Sequence, residues 1–184
     1  MKPVSRAYEK LKYGLDYWQI DLSNKTCADF GSSTGGFVQA ILEQSPKKVY
    51  SIETSKNRLH FALKDDSKVI VLDRTNALYV ELDEKCDFIS IDVGWTKQKL
   101  IIPNAIKNIK SSSESKIISL VKPHYESGSS LVGDEDIPEI LEKVKSEVSE
   151  YVNVIDIIES PLIGKRAGNK EFLMLCENKD NVSN

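Results

Sequence analysis

Five short apolar runs in this chain each stop on a residue that can hold a ligand or move a proton. Residues 26–30 stop at Gly31, 49–52 at Glu53, 69–72 at Asp73, 88–91 at Asp92 and 117–121 at Lys122. The first run continues as Asp29-Phe30-Gly31-Ser32-Ser33-Thr34-Gly35-Gly36-Phe37 into a helix-like segment. Glycines let a backbone turn tightly and approach a ligand closely. The helix start beyond them offers unpaired amide donors. Glu53 lies 22 residues past Gly31, where a carboxylate suits the two hydroxyl donors of a ribose. Asp73, one run further on, is placed to accept from an exocyclic amine.

Three residues separate Gly31 from Gly35. That spacing does not fit the dinucleotide fingerprint G-x-G-x-x-G, and no P-loop lysine follows. A nucleoside-type ligand without a pyrophosphate fits better, and S-adenosylmethionine is the common one. The turn residues Gly31, Ser32, Ser33, Gly35 and Gly36, with Glu53 and Asp73, are the candidate contacts. For the turn alone, a plain strand-to-helix connection explains the glycines about as well; carboxylates on the next two runs favour the cofactor.

Asp92 and Lys122 carry the candidate catalysis. Each follows an apolar run and is expected to be partly desolvated. Burial and nearby cations push a lysine pKa down, and carboxylates push it up. A lowered value lets Lys122 serve as a base or orient a weakly acidic hydroxyl. Taken singly, Lys122 also reads as a snorkelling side chain and Asp92 as a cap on the next turn.

The elements that must position these residues alternate along the chain. Residues 4–20 predict a helix with Ser5 as N-cap and Tyr8, Leu11, Leu15 and Trp18 on one face, with Gly14 as a weak point. Helices are also predicted over 35–44, 55–64, 103–109 (Pro103 at its start) and 134–151, the last with Ile137, Leu141, Val144 and Val148 on one face. His60 is expected in a surface helix and His124 in a loop. Short, continuously apolar strands between helices imply a mostly parallel sheet with helices on both faces. Residues 152–158 and 172–176 have no helix between them and predict an antiparallel pair near an edge. The expectation is therefore an α/β, Rossmann-like sheet of seven strands with a C-terminal antiparallel hairpin. In such sheets ligands bind beyond the carboxyl ends of the strands, where the five charged or glycine-bearing ends would gather. One domain over residues 1–177 and a polar tail over 178–184 are expected.

At 184 residues, 40% apolar and 29% charged, the chain has the make-up of a soluble domain with its own core. A formal charge of −3 excludes a binder whose whole surface is basic. No apolar run approaches a membrane span and no signal peptide is visible. Cys27, Cys86 and Cys176 are scattered, odd in number and set in apolar runs. They read as core residues in a reducing compartment, so a cytoplasmic location is expected, with no metal site. Trp18 reads as core, and Trp95 as a candidate wall of the pocket.

Taken together the motifs resemble those of the FtsJ-like 2′-O-ribose RNA methyltransferases. Ser5-Arg6-Ala7-Tyr8-Glu9-Lys10-Leu11 is similar to that family's opening motif. Residues 29–37, Ile91-Asp92-Val93, Leu120-Val121-Lys122-Pro123 and Gly168-Asn169-Lys170-Glu171-Phe172 resemble its later motifs, in order. The wording is closest to the hemolysin-A-like (TlyA) branch, notably Ser-Thr-Gly-Gly-Phe, Arg74-Thr75-Asn76-Ala77 and Ser160-Pro161…Gly168-Asn169. The resemblance runs from about Val4 to Cys176. It implies a class I S-adenosylmethionine-dependent fold and a tetrad of Lys10, Asp92, Lys122 and Glu171, in which Lys122 acts on the ribose hydroxyl as base or orienting group. It carries the family's cofactor contacts onto Gly35, Phe37, Glu53, Asp73 and Asp92, and sets Arg6 against RNA phosphate. Ribosomal RNA or a ribosomal subunit becomes the expected partner, with no membrane. Proteins of that branch usually begin with a small S4-type RNA-binding domain; here the sequence opens on the catalytic domain. Ala7-Tyr8 also stands where the branch usually has two glycines. A non-catalytic binding protein of the same fold is the alternative from another class, and a small-molecule methyltransferase is a third.

The charges are segregated along the chain. Six lysines and one acid lie between Trp95 and Tyr125, and residues 134–150 hold seven acids and two lysines. Lys165, Arg166 and Lys170 occupy an acid-free loop. A limited cationic face for RNA is expected, with Lys165 and Arg166 joining Arg6 as its contacts.

Overall fold

The computed structural model describes residues 2–164 and 168–179. In chain order the elements are α1 (Ala7–Tyr17), β1 (Thr26–Phe30), α2 (Gly36–Leu42), β2 (Lys48–Glu53), α3 (Phe61–Lys64), β3 (Val69–Asp73), β4 (Phe88–Ile91), α4 (Gln98–Asn108), β5 (Lys116–Val121), α5 (Pro123–Ser127), α6 (Ile137–Val148), β6 (Val152–Glu159) and β7 (Phe172–Asn178). The seven strands form one sheet in the order β3-β2-β1-β4-β5-β7-β6. The first five are parallel, and β7 runs antiparallel between β5 and β6. The expected mostly parallel sheet with a C-terminal antiparallel pair is what forms.

The central strands are apolar on both faces because both are covered. Ala28, Phe30, Ile89 and Ile91 pack with Ile101, Ile102 and Ala105 of α4 and Val144 and Val148 of α6. Cys27, Phe88, Ile118 and Leu120 pack on the other face with Leu11 and Leu15 of α1, Val38 and Ile41 of α2 and Leu63 of α3. Each such aliphatic side chain contributes roughly 1.5–3 kcal/mol on burial. Cys27, Cys86 and Cys176 sit in this core, fully buried and unpaired, and burial pushes the Cys86 thiol up to about 12. Among the described residues no helix is long and apolar enough to cross a membrane.

Several local expectations are corrected. Residues 55–60 are not helical. The Glu53 carboxylate accepts the Ser55 amide (2.8 Å) and Asp73 accepts that of Asn57 (3.0 Å), which holds the segment as a loop. The helix starts only at Phe61, where His60 Nδ1 accepts from the Ala62 amide (3.3 Å), so His60 is a cap. Pro103 lies inside α4 rather than at its start. That start is set from a distance: Glu126 of α5 accepts the Gln98 amide (2.9 Å). Ser5 is not a side-chain cap; Arg6 occupies the cap position of α1 and makes no side-chain cap bond. Gly14 does not interrupt α1. A Cβ there would lie 3.1 Å from Leu173 Cδ1 and from the Trp18 ring, so glycine lets the helix press closely on the sheet. The segment after Lys122, expected as a loop, is the short helix α5. Residues 180–184 of the expected tail lie outside the described residues, and β7 extends through Asn178.

β1 pairs with β2 on one side and β4 on the other. The chain therefore reverses its direction across the sheet there, and a crevice opens beyond the carboxyl ends of β1 and β4.

Candidate active site

Two cavities meet in that crevice. The larger, about 940 Å³, is bordered by Arg6 at the cap of α1, Lys10 of α1, Asp29, the turn after β1, Arg58, Trp95, His124, Tyr125, Asn169 and Glu171. The smaller, about 510 Å³, is bordered by Glu53, Thr54, residues 75–78, Val93 and Gly94. Gly31, Ser33 and Asp92 border both. Both are of the size that small ligands occupy.

The glycine turn owes its composition first to the protein's own backbone. Gly31 has φ +91°, and a Cβ would lie 2.5 Å from the Asp92 carbonyl oxygen, so the ends of β1 and β4 can touch only with glycine there. Gly35 has φ +96° and leaves room for Leu59 and Leu63, within 2.6 Å of where its Cβ would stand. Gly36 receives Ser5 Oγ and the Tyr8 backbone nitrogen, at 2.3 and 2.7 Å from that position, which seats α1 against α2. Gly31 and Gly36 border the larger cavity, as do Ser32 and Phe37, whereas Gly35 borders neither. Ser33 adopts φ +48°, a left-handed conformation that costs a non-glycine residue roughly 1 kcal/mol.

The carboxylates divide the work. Glu53 accepts the Ser33 amide (2.9 Å) through Oε2 and the Ser55 amide through Oε1, and it faces the smaller cavity. Asp73 pairs in register with Glu53 on the adjacent strand but borders neither cavity; its bond to the Asn57 amide steadies the loop over Glu53. Asp29, absent from the candidate contacts, is fully buried at the floor of the larger cavity. Ser90 Oγ donates to its Oδ1 (2.8 Å), while Oδ2 is enclosed with no partner. Burial pushes this carboxyl up to about 7, opposed by the Ser90 bond and reinforced by the nearby Asp92 charge. An acid embedded in an otherwise apolar strand was the available signal.

The four tetrad positions come together as two ion pairs. Lys10 Nζ meets Glu171, with the two side chains 7% and 6% exposed. Lys122 Nζ meets Asp92. Lys10, Asp92 and Glu171 border the larger cavity; Lys122 does not, because its ammonium is turned onto Asp92 and lies 5.2 Å from the centre of the Tyr125 ring. Burial pushes the Lys122 pKa down, but Asp92, by charge and hydrogen bond, and Glu171 outweigh it, and the net direction is up. Of the two directions the sequence left open, the raised one prevails: Lys122 is held as an ammonium, which suits a hydroxyl-orienting role better than that of a base.

Trp95 is 80% exposed with φ +56°, and it stacks on Tyr125 with ring centroids 4.8 Å apart. The pair forms an aromatic wall of the larger cavity. Trp18, as read, is partly buried, its indole donating to Asp156 (3.0 Å).

The cationic face differs from expectation. Of the lysines between Trp95 and Tyr125, Lys99 pairs with Glu147, Lys110 with Asp87 and Lys116 with Glu177. Lys116 opens β5, at the opposite end from Lys122. Grouping in sequence therefore does not become grouping in space. Arg6 and Arg58 border the cavity, and neither has an ion-pair partner among the described residues. Arg58 sits in the loop misread as helix. Lys165 and Arg166 lie outside the described residues.

A family model described as FtsJ-like methyltransferase matches residues 3–179. The 23S rRNA (cytidine-2′-O)-methyltransferase TlyA of Campylobacter jejuni is 35% identical over 131 residues, 71% of this chain and 50% of that protein. The chain covers between 49% and 65% of the length of the curated relatives it matches. A solved protein of Lactococcus lactis, provisionally called a hemolysin, superposes with a TM-score of 0.89 at 30% identity, covering 98% of this chain and 90% of that one. The N-methyltransferase NodS of Bradyrhizobium japonicum in complex with S-adenosylhomocysteine shares the fold, with a TM-score of 0.67 at 15% identity, covering 96% of this chain and 88% of that one.

Proposed function

We propose that this chain, which belongs to the FtsJ-like methyltransferase family, transfers a methyl group from S-adenosylmethionine to a ribose 2′-hydroxyl of RNA, with ribosomal RNA as the substrate class. The observation that carries this reading is the junction at Asp92. It borders both cavities, and its carboxylate is paired with the Lys122 ammonium behind that junction. A donor lying across the junction and a hydroxyl entering the larger cavity would meet beside that pair.

The residues present fit the donor. Glu53 is assigned to the ribose diol in the smaller cavity. The partnerless Asp29 Oδ2 suits an ammonium group at the floor of the larger one. When bound, the donor supplies a methyl group already activated by a sulfonium. Most of the remaining task is alignment, worth several kcal/mol when two reactants are held in register. Lys122 donates a hydrogen bond to the ribose oxygen and turns its lone pair toward the methyl. Asp92 fixes Lys122, and the buried Lys10–Glu171 pair supplies a second fixed charge pair on the cavity wall. Trp95 and Tyr125 offer a face for the nucleobase; base stacking on aromatic rings contributes about 1–3 kcal/mol per base. Arg6 and Arg58, unpaired, are assigned to phosphate.

The test is to map 2′-O-methyl positions on ribosomal and transfer RNA incubated with donor and protein, beside Lys122→Ala. Lys122→Ala is expected to bind donor normally by calorimetry and to lose methyl transfer. Full activity in that variant would sink the tetrad assignment. No donor binding and no new methyl mark in the wild type would return the chain to a non-catalytic binding role.

A further inference from the structure

A hydroxyl that attacks a methyl group must lose its proton, and all four tetrad groups are already engaged as two ion pairs. Lys10 is paired with Glu171, and Lys122 is held as an ammonium by Asp92. His124, unused so far, stands on the same wall. It is the second residue after Lys122, in α5, and it borders the larger cavity with Asp92 and Glu171. It lies 4.3 Å from the Tyr125 ring, itself 4.8 Å from Trp95 and 5.2 Å from Lys122 Nζ.

Resting on the methyltransferase reading above, we propose that His124 is the proton acceptor for the attacking ribose hydroxyl. The hydroxyl oxygen bonds to the methyl carbon. The carbon–sulfur bond breaks with its electron pair going to sulfur, and the hydroxyl proton passes to His124 Nε2. The imidazolium then returns that proton to water.

Three features support the assignment. Nδ1 is enclosed without a hydrogen-bond partner, unlike His60, whose Nδ1 is committed to capping α3. With no partner for either ring nitrogen of His124 among the described residues, neither neutral tautomer is locked, and the Nε2 lone pair can be presented to a ligand. The charged groups acting on the ring are Glu171 before β7 and Lys122 at the end of β5, and Asp92, Lys10, Arg6 and Arg58 line the same cavity. Burial disfavours the imidazolium, Glu171 opposes that and Lys122 adds to it, so the pKa lies below its ordinary 6.5. The ring is therefore neutral at pH 7, as a base must be.

The chain has two histidines, so a proton NMR titration resolves both, and His124→Gln assigns them by difference. His124 should titrate below 6.5. Methyl transfer by the wild type should rise with pH through that same value and then level. His124→Gln should keep donor binding and RNA KM within about twofold, lose the inflection and lower kcat by about 10²-fold. Added imidazole should restore part of the activity of His124→Ala, which a purely structural role would not allow. A Gln variant with wild-type kcat and an unchanged pH profile overturns the proposal, as does a rise in KM alone. A wild type that binds donor but methylates no RNA at any pH removes the methyltransferase reading itself, and the base assignment with it.

Discussion

Breaking the Lys10–Glu171 pair should separate its structural from its catalytic role. The pair joins α1 to the residue before β7 across 161 positions of sequence, with both side chains almost wholly buried. Removing one partner leaves a buried charge without compensation, which costs about 3–5 kcal/mol. For a domain of this size 1 kcal/mol moves the melting midpoint by about 2–4 °C. Glu171→Gln and Lys10→Met should therefore each melt roughly 6–20 °C below the wild type. The double variant buries no charge at this position and should recover most of the loss, because neutral replacements of buried pairs are often close to neutral in stability. A coupling energy of at least about 2 kcal/mol is the expected signature. Donor binding and methyl transfer measured on the same four proteins complete the cycle. The double variant should fold and bind donor, yet turn over at least about 10²-fold more slowly, since the paired charges beside the substrate are gone. Single variants within about 1 kcal/mol of wild type, or a double variant as unstable as the sum of the singles, would refute the reasoning.

Glu53→Ala should weaken donor binding by about tenfold or more in calorimetry, since charged hydrogen bonds are worth about 1.5–3 kcal/mol and the Ser33 and Ser55 amides lose their acceptor too. Asp29 titrates near 7 when folded, against 3.8 otherwise, so the folded state holds the extra proton and its contribution to stability falls as pH rises from about 4 to about 7. Asp29→Asn removes that dependence: its melting midpoint relative to wild type should improve between pH 5 and pH 8, and a constant difference would show that Asp29 is not the titrating group. Gly36→Ala places a methyl 2.3 Å from Ser5 Oγ and should destabilise by about 1–3 kcal/mol. Because the shift moves the helix carrying Lys10, methyl transfer should fall more than donor affinity; a stable, fully active variant would show that α1 has slack.

The sheet was legible because its strands are short, apolar on both faces and end on charges. That pattern does not depend on what each strand touches. The boundaries that failed depend on partners far away in sequence. Residues 55–60 have helical spacing, yet the carboxylates of Glu53 and Asp73 take their amides first. Pro103 reads as a helix start, yet Glu126 of α5 caps the helix five residues earlier, at Gln98. The tetrad residues were identified by type and order, and they do meet as two pairs. Asp29 is not legible as a site residue, because a single acid inside an apolar strand reads as an exception until its burial is known.

Alternation of apolar runs, their charged ends and the order of the motifs were enough, without a structure, to imply the α/β architecture, the family and a set of candidate site residues. Protonation and spatial grouping were not. Whether Lys122 is a base depends on the balance between burial and the carboxylate beside it, and that balance exists only when β4 and β5 lie side by side. The six lysines before Tyr125 are likewise neighbours along the chain but not across it, because a strand carries its two ends to opposite sides of the sheet. Within a net charge of −3, Arg6 and Arg58 are the cations on the larger cavity without an ion-pair partner among the described residues. That arrangement comes from the loops and helices that fold around the turn at Gly35 and Gly36.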